Sequence, residues 1–214
     1  TPVTAKKTDV VRQIATVPGL GDGEYLVIDN HEVGGLALQW FRDRVWTSDG
    51  GPADYDAITA AAAGVPAGSG NVLFTPWLNG ERSPVEDSRA RGGFHNLSLA
   101  TGRDELARAV LEGVAYNSRW LHEVVEKFTS TRLDPIRVIG GGAQSDLWCQ
   151  IHADVLNRTV ERPPDPMHAN LRGAGLAAGL ASGRVTITDV ARLVPVERTF
   201  RPDPANRAVY DRLF

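Results

Sequence analysis

Residues 138–151 read VIGGGAQSDLWCQI, and the fold turns on this stretch. A β-branched run at 136–139 ends in three consecutive glycines, Gly140, Gly141 and Gly142, and residues 145–156 then repeat apolar side chains at helical spacing. Strand, glycine turn and helix are thus predicted to be adjacent. Bare glycines leave main-chain N–H groups uncovered, and a helix N-terminus adds partial positive charge, so such a junction can admit a phosphate. A tight turn that needs glycine only for its left-handed dihedrals has the same local sequence and is the commoner case. Spacing has to decide between them. Ala143 and Gln144 stand where a dinucleotide fold keeps its spaced glycine, and no Gly-Lys-Ser/Thr follows as in a P-loop.

Working outward, the apolar stretch 25–28 predicts a short strand after a turn at Pro18, Gly19, Gly21 and Gly23. A helix should follow, its apolar positions Leu36, Trp40, Phe41 and Val45, with Gly34 and Gly35 near its start. Residues 54–63 predict an Ala-rich helix closed by Gly64 and Pro66, and 72–74 another strand. From 76 to 93, proline, glycine and charge alternate without period, which predicts a long ordered loop. Thr101 and Asp104 form a capping pair for the longest helix, whose broad apolar face includes Leu106, Val110, Val114, Leu121, Val125 and Phe128. A strand at 159–160, a small-residue helix over 172–180 stopped by Gly183, a strand, a Pro turn and a last helix carrying Val209, Tyr210 and Leu213 complete the pattern. Alternating strands and helices argue for a layered α/β or α+β domain over a bundle or β-sandwich.

At 214 residues, with 42% hydrophobic and 23% charged side chains, the chain fits one generous globular domain. A net charge of -3 without a basic run gives no footprint for nucleic acid or an anionic membrane, so neither partner is expected. The start has no secretion-signal core, and no apolar run reaches the length of about 18 residues that spans a bilayer, so a cytoplasmic protein is expected. That start also lacks Met and opens on a polar stretch, as if cut from something longer. The lone Cys149 cannot form an internal disulfide and is expected as a neutral thiol. His31, His95, His122, His152 and His168 lack the spacing of a metal site; each is expected on the surface or at a cap, and no protein-held metal is expected.

Two further phrases, taken with the first, match in order along nearly the whole chain. HEVGGLALQWFRD (31–43) resembles the glycine-then-helix element of the FGGY carbohydrate kinases, TPWLNGERSP (75–84) their GERxP loop, and VIGGGAQSDLWCQI their adenosine motif. The family's second signature also fits, from Gly93, Phe94 and Leu97 through Glu105, Leu106, Ala109, Val110, Leu111 and Glu112. Asn96 departs from the usual glycine, and Asn is the residue that best tolerates left-handed dihedrals after it. The resemblance, xylulokinase-like in wording, implies a ribonuclease-H-like (actin-like ATPase) α/β fold with a mixed sheet flanked by helices. It also implies that residues 1–214 are a C-terminal nucleotide-binding domain whose N-terminal sugar-binding domain is absent.

By motif position the resemblance places Gly35 and Gln39 against the nucleotide, Gly141 toward the α-phosphate or ribose, and Ser145, one turn into its helix, toward adenine or ribose. Gly142 and Ala143 are expected to leave room. ATP/ADP with Mg²⁺ and a small sugar are the implied ligands, the missing domain the implied partner, and a second copy of the chain a candidate one. The family keeps its catalytic Asp and both phosphate loops upstream of Thr1, so no catalytic residue is assigned here. Xylulose is the favoured sugar, with ribulose, gluconate and glycerol as alternatives. A rival of another class is a non-catalytic module that binds nucleotide or a partner. Trp40 and Trp148 fall on apolar helix faces and are expected in the core, and the charges around Glu81, Arg82, Asp87 and Arg91 are expected to pair and hold their loop in shape.

Overall fold

A computed structural model describes residues 2–48 and 51–214. The chain opens with a small antiparallel sheet: β1 (Pro2–Val3), β2 (Thr8–Asp9), β3 (Ile14–Pro18) and β4 (Tyr25–Ile28), ordered β1-β4-β3-β2. Only the strand at 25–28 is visible as a sequence pattern. The others bury one residue fully, Ile14 of β3, and the turn between β2 and β3 exposes Val10 and Val11, so their pairing comes from ladder bonds and not from a repeating apolar face. Helix α1 (Gly35–Arg44) follows, then the hairpin β5 (Thr47–Ser48) and β6 (Gly51–Pro52) and helix α2 (Tyr55–Ala63). The buried face of α1 is Ala37, Leu38 and Phe41; Leu36 and Val45, apolar at helical spacing in the sequence, are exposed, Val45 as the residue just past the helix end.

Strands β7 (Leu73–Thr75) and β8 (Gly93–His95) pair across the long loop, and α3 (Arg103–Thr129) then runs through the middle of the domain. Its cap lies one residue from the expected place: Gly102 is the N-cap, its N–H donates to Glu105 at 2.9 Å, and Thr101 instead accepts from Ser98 N–H. Asn96 is left-handed at φ 61°, as its glycine-like position requires. After β9 (Ile136–Arg137) come α4 (Asp146–Leu156), β10 (Val160–Arg162), α5 (Ala169–Ala181), α6 (Ile187–Leu193), β11 (Arg198–Phe200) and α7 (Arg207–Leu213). The second sheet is mixed, β10 lying parallel to β9 and antiparallel to β11.

The main core gathers around α3: Phe41 from α1, Ile58 from α2, Phe74 from β7, Ile151 and Val155 from α4, and Tyr210 from α7 pack against its Val110 and Leu111. A smaller core of Ala143, Cys149, Ala153, Val160 and Phe200 fastens α4 to the second sheet. Burial there pushes the Cys149 thiol up to about 11, which keeps it neutral and inert.

Within the main core a buried ionic network ties α7 down. Glu112 accepts from Arg108 Nε at 2.7 Å, from the Tyr210 hydroxyl at 2.8 Å, from the Gly68 N–H at 3.0 Å and from the Ser69 hydroxyl at 2.8 Å. Arg108 also donates to the Val65 carbonyl at 2.7 Å, so both charges are paired and hydrogen-bonded.

Candidate functional site

The glycine run does not continue straight from strand to helix. Gly140 takes φ +87°, a left-handed value that suits glycine, and donates its N–H to the Pro166 carbonyl at 2.8 Å. Residues Gly141–Gln144 then make one tight 3₁₀ turn before α4. Among the described residues neither the Gly141 nor the Gly142 N–H has a protein acceptor, so both amides are open to solvent or to a bound group.

Helix α4 itself is closed to an anion. Ser145 is its N-cap, not a residue one turn in, and its hydroxyl oxygen accepts the Trp148 N–H at 3.2 Å. Asp146 adds negative charge to the first turn and pairs with Arg162 at 2.8 Å and with Arg198. The opening of α1 is the reverse case. No side chain caps it, its first turn has no acidic residue, and a Cβ built on Gly35 would meet no atom within 4 Å.

These two features share one cleft of about 270 Å³. Gly35, Gly141 and Gly142 line it together with Val114, Ile139 and His152. Exposed Ile139, and exposed Met167, whose sulfur would lie 3.5 Å from a Cβ on Gly141, flank the glycines with apolar surface. The two glycines differ in what they permit. A Cβ on Gly142 would lie 2.8 Å from the Trp148 ring, so Gly142 is glycine to let that indole pack, whereas Gly141 faces open cleft. Trp148 and Trp40 do belong to the core or its edge; Trp148 is 5% exposed and donates Nε1–H to the Leu111 carbonyl at 3.0 Å. Gln39 is not among the lining residues: it is exposed, one turn further along α1, and stands by Asp43, a carboxylate held below its usual range by Arg42 first and by Gln39 less.

No local pattern marks Val114, His152 or Met167 as neighbours of the glycines, because their positions depend on how α3, α4 and the 166–168 turn pack. Two expectations about charged and imidazole groups are corrected. Glu81 does not pair with the Arg82 guanidinium but is buried and accepts main-chain and amide N–H groups, since a loop that packs inward cannot leave its carboxylate unsatisfied. His31, His122 and His152 lie inside the fold and not on its surface, and burial holds each imidazole below its ordinary value. His152 Nδ1 sits 2.8 Å from the Trp148 carbonyl, which makes that nitrogen the donor.

A larger apolar groove of about 520 Å³, walled by Trp77, Tyr116, Trp120 and Phe214, opens on a different face of α3 from Val114. Among the described residues no group of three or more His, Cys, Asp or Glu could hold a metal ion, and no helix is long and apolar enough to cross a membrane.

Known proteins similar to this chain in sequence and fold are sugar kinases of actin-like ATPase fold. The chain is 32% identical over 192 residues to a glycerol kinase from Natranaerobius thermophilus, covering 89% of this chain and 37% of that protein. Its structure superposes on a xylulose kinase from Rhodospirillum rubrum with TM-score 0.80 at 32% identity, covering 99% of this chain and 42% of that one. A gluconate kinase from Lactobacillus acidophilus gives TM-score 0.83 at 27% identity, covering 100% and 42%. The chain thus spans well under half the length of these relatives. Residues 2–182 match the C-terminal domain of the FGGY family of carbohydrate kinases, and the chain belongs to that family.

Proposed function

We propose that this chain is the nucleotide-binding part of a cytoplasmic ATP-dependent carbohydrate kinase, and that the cleft between the start of α1 and the Gly140–Gly142 turn receives ATP and releases ADP. The observation that carries this reading is the pair of unpaired amides at Gly141 and Gly142, in one cleft with the uncapped start of α1. Donors and a helix N-terminus favour a phosphate, and the exposed apolar surfaces of Ile139 and Met167 suit the flat face of a purine. Gly35 and Gly141 let the phosphates approach the backbone, while the Ser145 hydroxyl, its oxygen engaged by α4, keeps its hydrogen for a ribose or base acceptor. Gln39 is kept as a second-line contact to the nucleotide, reached from the exposed side of α1.

ATP supplies the γ-phosphate, which passes in line to a sugar hydroxyl. The residues of this chain bind and orient; no general base is assigned among them. Among the described residues no carboxylate cluster at this cleft fits Mg²⁺. The base and the sugar contacts are assigned to the N-terminal domain that the longer relatives carry. D-Xylulose, converted to xylulose 5-phosphate, is the proposed sugar, because the wording of the GERxP loop and of α1 resembles that of xylulokinases. A coupled assay on the full-length protein with xylulose, ribulose, glycerol and gluconate tests this; xylulose should give the highest kcat/KM, and a preference for glycerol or gluconate would replace it. This chain alone should bind ADP in calorimetry and show no turnover with any of the four.

A further inference from the structure

Glu81 sits in the loop between β7 and β8, is 6% exposed, and is held by a reciprocal main-chain pair with Asp87 at 3.0 and 2.9 Å. Its side chain reaches out of that loop. Oε1 accepts the Glu32 N–H at 2.9 Å and the Arg82 N–H at 2.8 Å, and Oε2 accepts the Asn117 amide at 2.6 Å. Asn117, on α3, cannot flip freely, because its own oxygen accepts the Trp77 indole N–H at 3.3 Å. His31 Nδ1 lies 3.0 Å from the same Asn117 nitrogen, and Asn79 donates to the Glu32 carboxylate at 3.1 Å. The loop holds residue 32 and Asn117 of α3 holds residue 31, and Gly34 and Gly35 open α1 two residues further on.

We propose that Glu81 is a positioning residue for the nucleotide cleft and that Asn117 aims it, the two together fixing the 31–35 segment so that the uncapped start of α1 stays in the cleft with Gly141. The proposal rests on the reading of that cleft as the nucleotide site. A carboxylate suits the task because one oxygen takes two backbone donors while the other takes an amide; a carboxamide has only one acceptor atom.

The test is ADP calorimetry on the 214-residue chain as wild type, Glu81→Gln, Asn117→Asp and the double exchange. Glu81→Gln turns an amide against the Asn117 amide, and Asn117→Asp sets two carboxylates face to face. The double exchange reverses donor and acceptor with the total charge unchanged. Each single variant should weaken ADP binding about tenfold, the scale of one charge-assisted hydrogen bond, and the exchange should recover to within about threefold of wild type. Glu112→Gln, in the buried network on another face of α3, should lower the melting temperature and leave ADP affinity alone, which separates positioning from general loosening. Should Glu81→Gln fail to fold, Asn117→Asp and the double exchange carry the same comparison. Wild-type affinity in the single variants, or an exchange no better than either of them, overturns the positioning role. Absence of ADP binding in the wild type overturns the cleft reading instead, and the proposal with it.

Discussion

Gly141 and Gly142 are neighbours of identical composition, yet adding one methyl group to each should have opposite consequences. In Gly142→Ala the new Cβ would lie 2.8 and 2.9 Å from two ring carbons of Trp148, closer than carbon atoms approach. The indole has to move, and it is locked in the main core with its N–H on the Leu111 carbonyl. Overpacking of this kind costs about 1–3 kcal/mol, and loss of the indole hydrogen bond adds roughly 1 kcal/mol. The sum, about 2–4 kcal/mol, is a large part of the roughly 5–15 kcal/mol that holds a domain together. In Gly141→Ala the Cβ meets only the Met167 sulfur at 3.5 Å, an ordinary contact, so stability should change by less than about 1 kcal/mol. Urea unfolding followed by tryptophan fluorescence measures both. Equal stability of Gly142→Ala and wild type, or an equal loss at Gly141→Ala, would refute the assignment of one glycine to packing and the other to the cleft.

Other outcomes follow from the same geometry. Gly141→Val places a branched side chain in the cleft and should weaken ADP affinity by more than about tenfold with the melting temperature near wild type, read by calorimetry and scanning fluorimetry. Glu112→Ala leaves the Arg108 guanidinium buried without its carboxylate and should cost about 3–5 kcal/mol in denaturant unfolding; a loss below 1 kcal/mol would show that the network carries little. Burial holds His31, His122 and His152 below the ordinary imidazole value of 6.5, so the unfolded chain takes up protons that the folded chain refuses. Their contribution is intact above that value and is lost as pH falls below it; the melting temperature should drop between about pH 7.5 and 5.5, and His152→Gln, which keeps a donor for the Trp148 carbonyl, should flatten the slope.

What could be read from the sequence is what local chemistry dictates. The strand at 25–28, the Ala-rich α2 with its Asp54 cap, the long α3 and the glycine-to-α4 junction all follow from periodicity and punctuation within their own segments. The opening strands were not legible because β1 and β2, at two residues each, have no period, and five-residue β3 buries only Ile14 fully and so shows no alternating apolar face. The candidate site shows the same division. Gly141 and Gly142 could be named because a glycine run between strand and helix bares its amides, Gly35 only through the family resemblance, and the structure places all three in one cleft. Ser145 was legible as chemistry but not as geometry: a serine before an apolar helix is also the favoured cap, and the cap took its oxygen. Glu81 and Asn117 are 36 residues apart and meet only once loop and helix pack, so no local pattern joins them.

The most direct test is an amide NMR titration of the chain with ADP. The largest shift changes should fall on the Gly141 and Gly142 N–H signals, with Gly35 next, and all should vanish in Gly141→Val. Changes centred instead on Trp77, Tyr116 and Trp120, with the glycine amides silent, would put the nucleotide in the larger groove and contradict the account.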